Sequence, residues 1–385
     1  MTRDRSLFTR RQVLEVLGAG AFAAALPEWA SAAAPTFPKG AVIRTILKDY
    51  APEDLAANAT LFHEHLSLAP DFLTRWTRYA AETRAANGLP AGRGAAPAAG
   101  AGRGAGDAGR GAAAPAPGPF FMQDLDLMAG ELAAAKRDGI GCIVDGGHSD
   151  MGRDFEFLRQ LSTKSGVPIV AGAGLYTQPF YPKEIAAMSE EQIVQALVRQ
   201  CEADPVGVFG EIGSWDDMTA TERKVFRAIG KAHLATNLSI FTHTGIPGKA
   251  ALEQLDLLED AGVAPNRIVI GHLGNLVDTN VQVQKAICRR GAFVGFDRQG
   301  GAGDAQQVPM VMALIEAGFA DNLMLSADTS NANQMTRNGG TGYAKTLTVF
   351  VPKLKAAGAS DDVLRAIMVD NPRRFLAFVP QKPRK

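Results

Sequence analysis

Histidine is scarce in this chain: His63, His65, His148, His233, His243 and His272 are all that its 385 residues contain. Imidazole nitrogens and carboxylate oxygens are the donors that suit zinc, manganese, cobalt and iron. The placement of these side chains therefore decides what metal chemistry is open. His63 and His65 stand two apart in Phe62-His63-Glu64-His65. In an extended chain residues i and i+2 face one side, so both rings can reach one ion. His243 closes the run Phe241-Thr242-His243-Thr244, and His272 closes Ile270-Gly271-His272-Leu273. Glu211, in Phe209-Gly210-Glu211-Ile212-Gly213, and Asp328, in Leu325-Ser326-Ala327-Asp328, end two further apolar runs. Four imidazoles and two carboxylates are the inventory for two divalent ions. His233 falls inside a helix-patterned stretch and reads as structural.

The runs that these residues close are the elements that must position them. Candidate strands are Ala59–Phe62, Cys142–Asp145, Pro168–Ala171, Gly207–Gly210, Leu238–Thr242, Arg267–Gly271, Ala292–Phe296 and Leu323–Ser326. Most are apolar without interruption, as strands of a parallel sheet buried on both faces are. Amphipathic stretches lie between them: Asp124–Asp138, Asp154–Lys164, Ser189–Glu202, Thr221–Thr236, Ala250–Ala261, Val281–Arg290 and Val308–Ala317. Glycines 139, 166, 262, 291 and 318 mark helix ends. Alternation of eight strands with helices predicts an α/β fold, a (β/α)8 TIM barrel, whose strand ends converge on the C-terminal mouth where active sites form. A doubly wound open sheet is the alternative, but no Gly-x-Gly-x-x-Gly follows the first strand. Ser360–Phe378 reads as a further helix pair packed outside.

Composition narrows the function classes. Hydrophobic residues are 46% and charged residues 21%, which excludes a collagen-like or wholly disordered chain. Lys plus Arg equals Asp plus Glu at 40 each, so a nucleic-acid or anionic-membrane binder is not expected. Cys142, Cys201 and Cys288 have no metal-type spacing and read as buried free thiols. Arg10 and Arg11 precede the uncharged run Val16–Leu26, and Ala30-Ser31-Ala32 follows. The run is too short to span a bilayer. This arrangement reads as a twin-arginine signal peptide over residues 1–32, with the mature chain periplasmic or secreted and without a stable membrane anchor. Residues 91–119 contain only Ala, Gly, Pro, Arg and Asp and read as a flexible insertion, because nothing there is large enough to bury. The rest, 33–385, reads as one barrel.

In order along the chain, several motifs resemble those of the phosphotriesterase family of the amidohydrolase superfamily. They are Phe62-His63-Glu64-His65, Ile143-Val144-Asp145 with Gly152-Arg153-Asp154, Gly174-Leu175-Tyr176, Gly210-Glu211-Ile212-Gly213, Thr242-His243-Thr244, Gly271-His272 and Asn371-Pro372-Arg373-Arg374-Phe375-Leu376. The resemblance covers Leu61 to Phe378 apart from the insertion. It implies a first metal on His63, His65 and Asp328 and a second on His243 and His272, with zinc as the default and manganese, cobalt or iron also suiting. The best-known members bridge the two ions with a carboxylated lysine; Glu211 takes that position here, as in one branch of the family. Two ions sharing a water depress its pKa, and the hydroxide attacks a carbonyl or phosphoryl centre with Asp328 as proton acceptor and shuttle.

Lactonase-like members place similar Tyr and Asp-Arg residues at the metal centre. That assigns Tyr176 a hydrogen bond to a developing oxyanion and Arg298 the orientation of substrate or leaving group. The plainer alternatives are a packing role for Tyr176 and a rim salt bridge between Arg298 and Asp297. His148 and Asp150 are expected near the pocket, with Arg153 and Asp154 as a structural pair. The loop Thr329–Thr341 has no aromatic residue, which points to a small or polar substrate rather than a long acyl chain. The expected function is hydrolysis of an ester or lactone. Phosphotriester or N-acyl amide hydrolysis is the near alternative, and non-catalytic metal-dependent binding a more distant one. The expected partner is a small molecule, with a homodimer possible and no nucleic acid.

Overall fold

Eight parallel strands follow one another around a nearly closed barrel: β1 (Ala59–Glu64), β2 (Ile140–Asp145), β3 (Ile169–Ala173), β4 (Val206–Ser214), β5 (Ile240–Thr244), β6 (Ile268–Ile270), β7 (Phe293–Phe296) and β8 (Leu323–Leu325). The computed structural model describes residues 35–86, 120–245, 248–276, 278 and 280–381. The expected signal segment and the 91–119 insertion lie outside them. Each strand pairs in parallel with the next. The circle is completed at the β1–β8 seam, where Asp328 N–H donates to His63 O at 3.2 Å and His65 N–H to Thr329 O at 3.3 Å. Three of the six candidate metal ligands thus sit on the seam itself.

Helices fill the connections: α1 (Phe72–Ala86) and α2 (Leu125–Arg137) between β1 and β2, then α3 (Phe155–Ser165), α4 (Glu190–Ala203), α5 (Ala220–Thr236), α6 (Ala251–Asp260), α7 (Gln282–Arg289) and α8 (Asp304–Glu316) in turn. Their starts are chemically marked. Asp124 and Asp154 cap α2 and α3, while Ser189 with Gln192 and Thr219 with Glu222 form capping boxes on α4 and α5. No helix among the described residues is long and apolar enough to cross a membrane.

Each strand sends one or more side chains inward. Phe62, Val144, Val170, Val208, Phe241, Val269, Phe293 and Met324 fill the barrel, while Leu61, Ile143, Ile169, Ile240, Ile268 and Leu325 face the helices. Ile43, Leu55, Phe375 and Leu376 join the inner cluster from below. They come from the ribbon pairing Ile43–Arg44 with Asp49–Tyr50, from the short turn of helix Pro52–Leu55 and from the last helix, Asn371–Leu376. The end of the chain therefore plugs the N-terminal mouth rather than packing outside, because Phe375 and Leu376 find their burial there.

Other differences bear on the site. β4 runs to Ser214, so Glu211 lies inside a strand whose every residue is buried instead of just after it. Pairing register slips between Leu61 and Glu64 in β1 and between Phe209 and Ile212 in β4. Such slips re-aim side chains, and these lie at the positions from which His63 and Glu211 reach the mouth. α1 was not marked by its sequence pattern, since Phe72 is its one buried residue. α8 starts at Asp304 and carries Pro309 within it, four residues before the stretch that periodicity picked out.

Candidate metal centre

The structure brings His63, His65, Glu211, His243, His272 and Asp328 to one end of the barrel. Glu211 stands in the middle. Its Oε1 is 3.1 Å from His65 Nε2, and its Oε2 is 3.3 Å from His63 Nε2, 2.8 Å from His243 Nδ1 and 3.5 Å from His272 Nε2. Asp328 Oδ1 lies 3.2 Å from His65 Nε2 and 3.9 Å from His63 Nε2. Ligand atoms of His63, His65 and Asp328 all fall within 4.8 Å of one another, as do those of His63, Glu211 and His272. His243 Nδ1 sits 2.7 Å from His272 Nε2 on the same side. His63 Nε2 is buried, without a hydrogen-bond partner, and aimed at both carboxylates. A divalent cation suits that atom and this donor set.

The backbone is bent to deliver these groups. Gly210, next to Glu211, has φ +146°, and a Cβ there would lie 2.2 Å from the Phe241 ring. Only glycine fits. His272 and Asp328 adopt left-handed φ values of 61° and 48°. Side chains other than glycine seldom accept such strain, and where they do, the site is commonly functional.

Electrostatics divide the cluster. Burial pushes the Glu211 carboxyl up, but His63 and His243 outweigh it and hold it well below its ordinary range. Asp328 is likewise lowered: burial opposes, while His65, Arg298 and His63 prevail. For His63 burial works downward, yet Glu211 and Asp297 raise it well above its usual value. His65 reaches about 10 by the same contest, with Asp328 and Glu211 winning. His243 falls to about 4 through burial and the neighbouring His272. The carboxylates are therefore anionic, and any cation entering the site displaces protons from His63 and His65.

A second ring of groups fixes the first. Asp297 accepts from both His63 and His272: Oδ2 is 2.9 Å from His63 Nδ1 and Oδ1 is 2.7 Å from His272 Nδ1. Glu64, between the two histidines of β1, is buried and accepts from Ser326 Oγ, Ala327 N and Thr329 N, at 2.7, 2.8 and 2.8 Å. It thereby anchors the turn that carries Asp328. Neither role was assigned from sequence. The signal for Glu64 was present in its position between two ligands. Asp297 was paired with Arg298, but Arg298 Nε instead donates to Asp328 Oδ2 at 3.1 Å.

Tyr176 places its hydroxyl 3.2 Å from His243 Nδ1 and accepts from Trp76 Nε1 at 2.9 Å. Its ring also packs on Phe72 and Phe180, so the packing and site-facing alternatives coincide. Asp150 receives the Tyr176 N–H at 2.8 Å, and His148 is buried nearby. Arg153 and Asp154 do not serve as a mutual pair. Arg153 donates to the carbonyls of Gly147 and Gly172, while Asp154 caps α3. His233 is structural, its Nδ1 2.6 Å from Leu238 O.

Residues 51–376 match the Phosphotriesterase family. The chain belongs to that family. Among its relatives is the N-acetyltaurine hydrolase of Dictyostelium discoideum, 28% identical over 278 residues that cover 67% of this chain and 75% of that protein. The phosphotriesterase homology protein of Escherichia coli strain K12 is 32% identical over 247 residues, covering 62% and 84%. A crystal structure of the Escherichia coli phosphotriesterase homology protein, complexed with phosphate in its active site, matches with TM-score 0.67 at 25% identity, over 85% of this chain and 100% of that one. A lactonase from Listeria monocytogenes matches at TM-score 0.68 and 22% identity, over 87% and 98%, a likeness of fold. As a member of this family with hydrolases among its relatives, the chain is a hydrolase. Beside its centre opens a cavity of ≈ 570 Å³ whose wall includes Arg298, Asp328, Asn333, Gln334, Thr341 and Lys345.

Proposed function

We propose that this chain hydrolyses the carbonyl of a small, polar ester, lactone or N-acyl amide with two divalent cations, zinc by default. The observation that carries the reading is Glu211 standing within 3.5 Å of four imidazoles, with Asp328 beside it. His63, His65 and Asp328 would hold one cation, His243 and His272 the other, and Glu211 both. Bound cations supply a water acidified to near neutral pH and a Lewis acid for the carbonyl oxygen.

The chain's own groups do the rest. Asp328, oriented by Arg298 Nε, accepts the proton of the attacking water and passes it to the leaving group. Burial first, then Glu211 and Asp328, hold the Tyr176 phenol well above its ordinary pKa. It therefore stays protonated and offers its O–H to the developing oxyanion. Asp297 keeps the Nε2 atoms of His63 and His272 turned toward the centre by binding their Nδ1 atoms.

Within this reading, an N-acyl amide is favoured by the N-acetyltaurine hydrolases among the relatives. The cavity wall agrees with a polar substrate, since its described residues include no aromatic side chain and no aliphatic one larger than Ala. The test is a turnover screen of metal-stripped and metal-reconstituted protein against lactones, aryl esters, phosphotriesters, N-acyl amino acids and N-acyl amino sulfonates. Metal-dependent turnover of a carbonyl substrate is expected. Turnover confined to phosphotriesters, or independent of metal, refutes the reading.

A further inference from the structure

Lys345 carries an ammonium where such groups are seldom left. It is 5% exposed and lines the cavity beside the metal centre. Among the described residues no hydrogen bond, and no acidic oxygen within 4.0 Å, holds its Nζ. The carboxylates that act on it from farther away are Glu64, Asp328 and Asp304. Each already has partners of its own. Glu64 accepts from Ser326, Ala327 and Thr329, and Asp328 from Arg298. Asp304 takes the Lys353 ammonium at 2.6 Å and the Gly300 N–H at 2.9 Å. A charge on so little exposed a residue, open to the cavity and without a close partner, is costly to keep, so its retention there asks for a function.

The stem of Lys345 has its place prepared. Gly300 has φ +82°, and a Cβ there would come within 3.0 Å of Lys345 Cγ and Cδ. Two positions before Gly300, Arg298 adds a second cation to the same wall, with its side chain 27% exposed. Asn333 and Gln334 offer amide groups to the same space. Among the described residues Asp328 is the one acidic residue on the cavity wall, and Arg298 already engages it. The cavity is thus furnished with donors and positive charge at one side of the hydrolytic centre.

We propose that the cavity seats a compact oxyanion of the substrate, a carboxylate or sulfonate, at Lys345 and Arg298, leaving the scissile carbonyl at Asp328. This rests on the carbonyl-hydrolase reading above and deepens it: the substrate is an anion, and Lys345 sets that specificity. Charged hydrogen bonds in a partly dehydrated site discriminate strongly against a neutral group of the same shape.

The test titrates metal-loaded protein with propionate, ethanesulfonate and the neutral isostere propionamide by calorimetry. Wild type should bind at least one anion about tenfold or more tighter than propionamide. Lys345→Met keeps the stem and removes the charge, so it should lose most of that preference while metal content stays at the wild-type value. Lys345→Arg, which restores a cation, should recover part of it. The same preference in Lys345→Met as in wild type would show that the anion rests on the ions or on Arg298 alone and overturns the assignment. So would failure of both anions to bind, or equal affinity for anion and amide. Anion binding without any carbonyl turnover in the screen would instead sink the hydrolase reading and leave the anion seat standing.

Discussion

Oδ2 of Asp297 lies 2.9 Å from Nδ1 of His63, although 234 positions separate the two residues in the chain. Because a carboxylate accepts and does not donate, His63 carries a proton on Nδ1, so Nε2 is the nitrogen it presents to a cation. The other Asp297 oxygen imposes the same choice on His272. One side chain thus sets the ring orientation of a ligand proposed for each ion.

Asp297→Asn removes the charge and leaves one acceptor oxygen for two imidazole N–H groups. At least one ring loses its partner. Metal affinity is expected to fall by about ten- to a hundredfold, the range for residues supporting metal ligands. Competition with a chromogenic chelator measures it. An affinity equal to wild type would show that Asp297 does not position these rings.

Arg298→Met and Tyr176→Phe probe groups next to the centre that are not its ligands. Arg298 orients Asp328 through Nε at 3.1 Å, and Tyr176 presents its hydroxyl beside His243. Both variants should lower kcat by about ten- to a hundredfold, within the upper range set by loss of one oxyanion donor. Metal content should remain at the wild-type value. Loss of metal from either would move that residue into the ligand set.

The barrel and the cluster were legible in the sequence for one reason. Parallel strands buried on both faces leave uninterrupted apolar runs, and a ligand that ends such a run interrupts it visibly. His243 after Phe241-Thr242 and His272 after Ile270-Gly271 stood out in this way. The bend at Gly210-Glu211 did not, because a charged residue normally ends a strand, and only the four imidazoles around Glu211 make its burial tolerable. The family resemblance places Asp297 at the metal centre, but its tie to the two histidines escaped for a related reason. Adjacent Asp and Arg suggest a local salt bridge, yet strand alternation sends their side chains to different partners, Asp297 to the histidines and Arg298 to Asp328. The plug formed by Phe375 and Leu376 depends on the whole barrel being in place, which local pattern does not encode.

Export is open to a direct test. The Arg10-Arg11 pair, the short apolar run and Ala30-Ser31-Ala32 motivate it. Replacing both arginines by lysine should leave precursor in the cytoplasm of a cell that exports the wild-type chain. Wild-type levels of processed, exported double variant would rule out the twin-arginine route.

Glu211→Gln is the sharpest probe of the centre. Glu211 sends one oxygen to His65 and the other to His63, His243 and His272, so it meets both ligand groups at the nitrogens that face the centre. The amide keeps the shape, removes the anion and leaves a single acceptor oxygen. If Glu211 bridges two ions as proposed, both should suffer together instead of one being lost cleanly. Well under two metal equivalents and at least about a hundredfold loss of turnover are expected, the order seen when a major electrostatic element is removed. The positive groups Glu211 now balances, His63 above all, would also lose their counter-charge. Metal-free Glu211→Gln protein should therefore bind fewer protons at its histidines than metal-free wild type near neutral pH, a difference that NMR titration of the six imidazoles resolves. Two full equivalents retained, with wild-type histidine titration, would mean that another residue joins the ions.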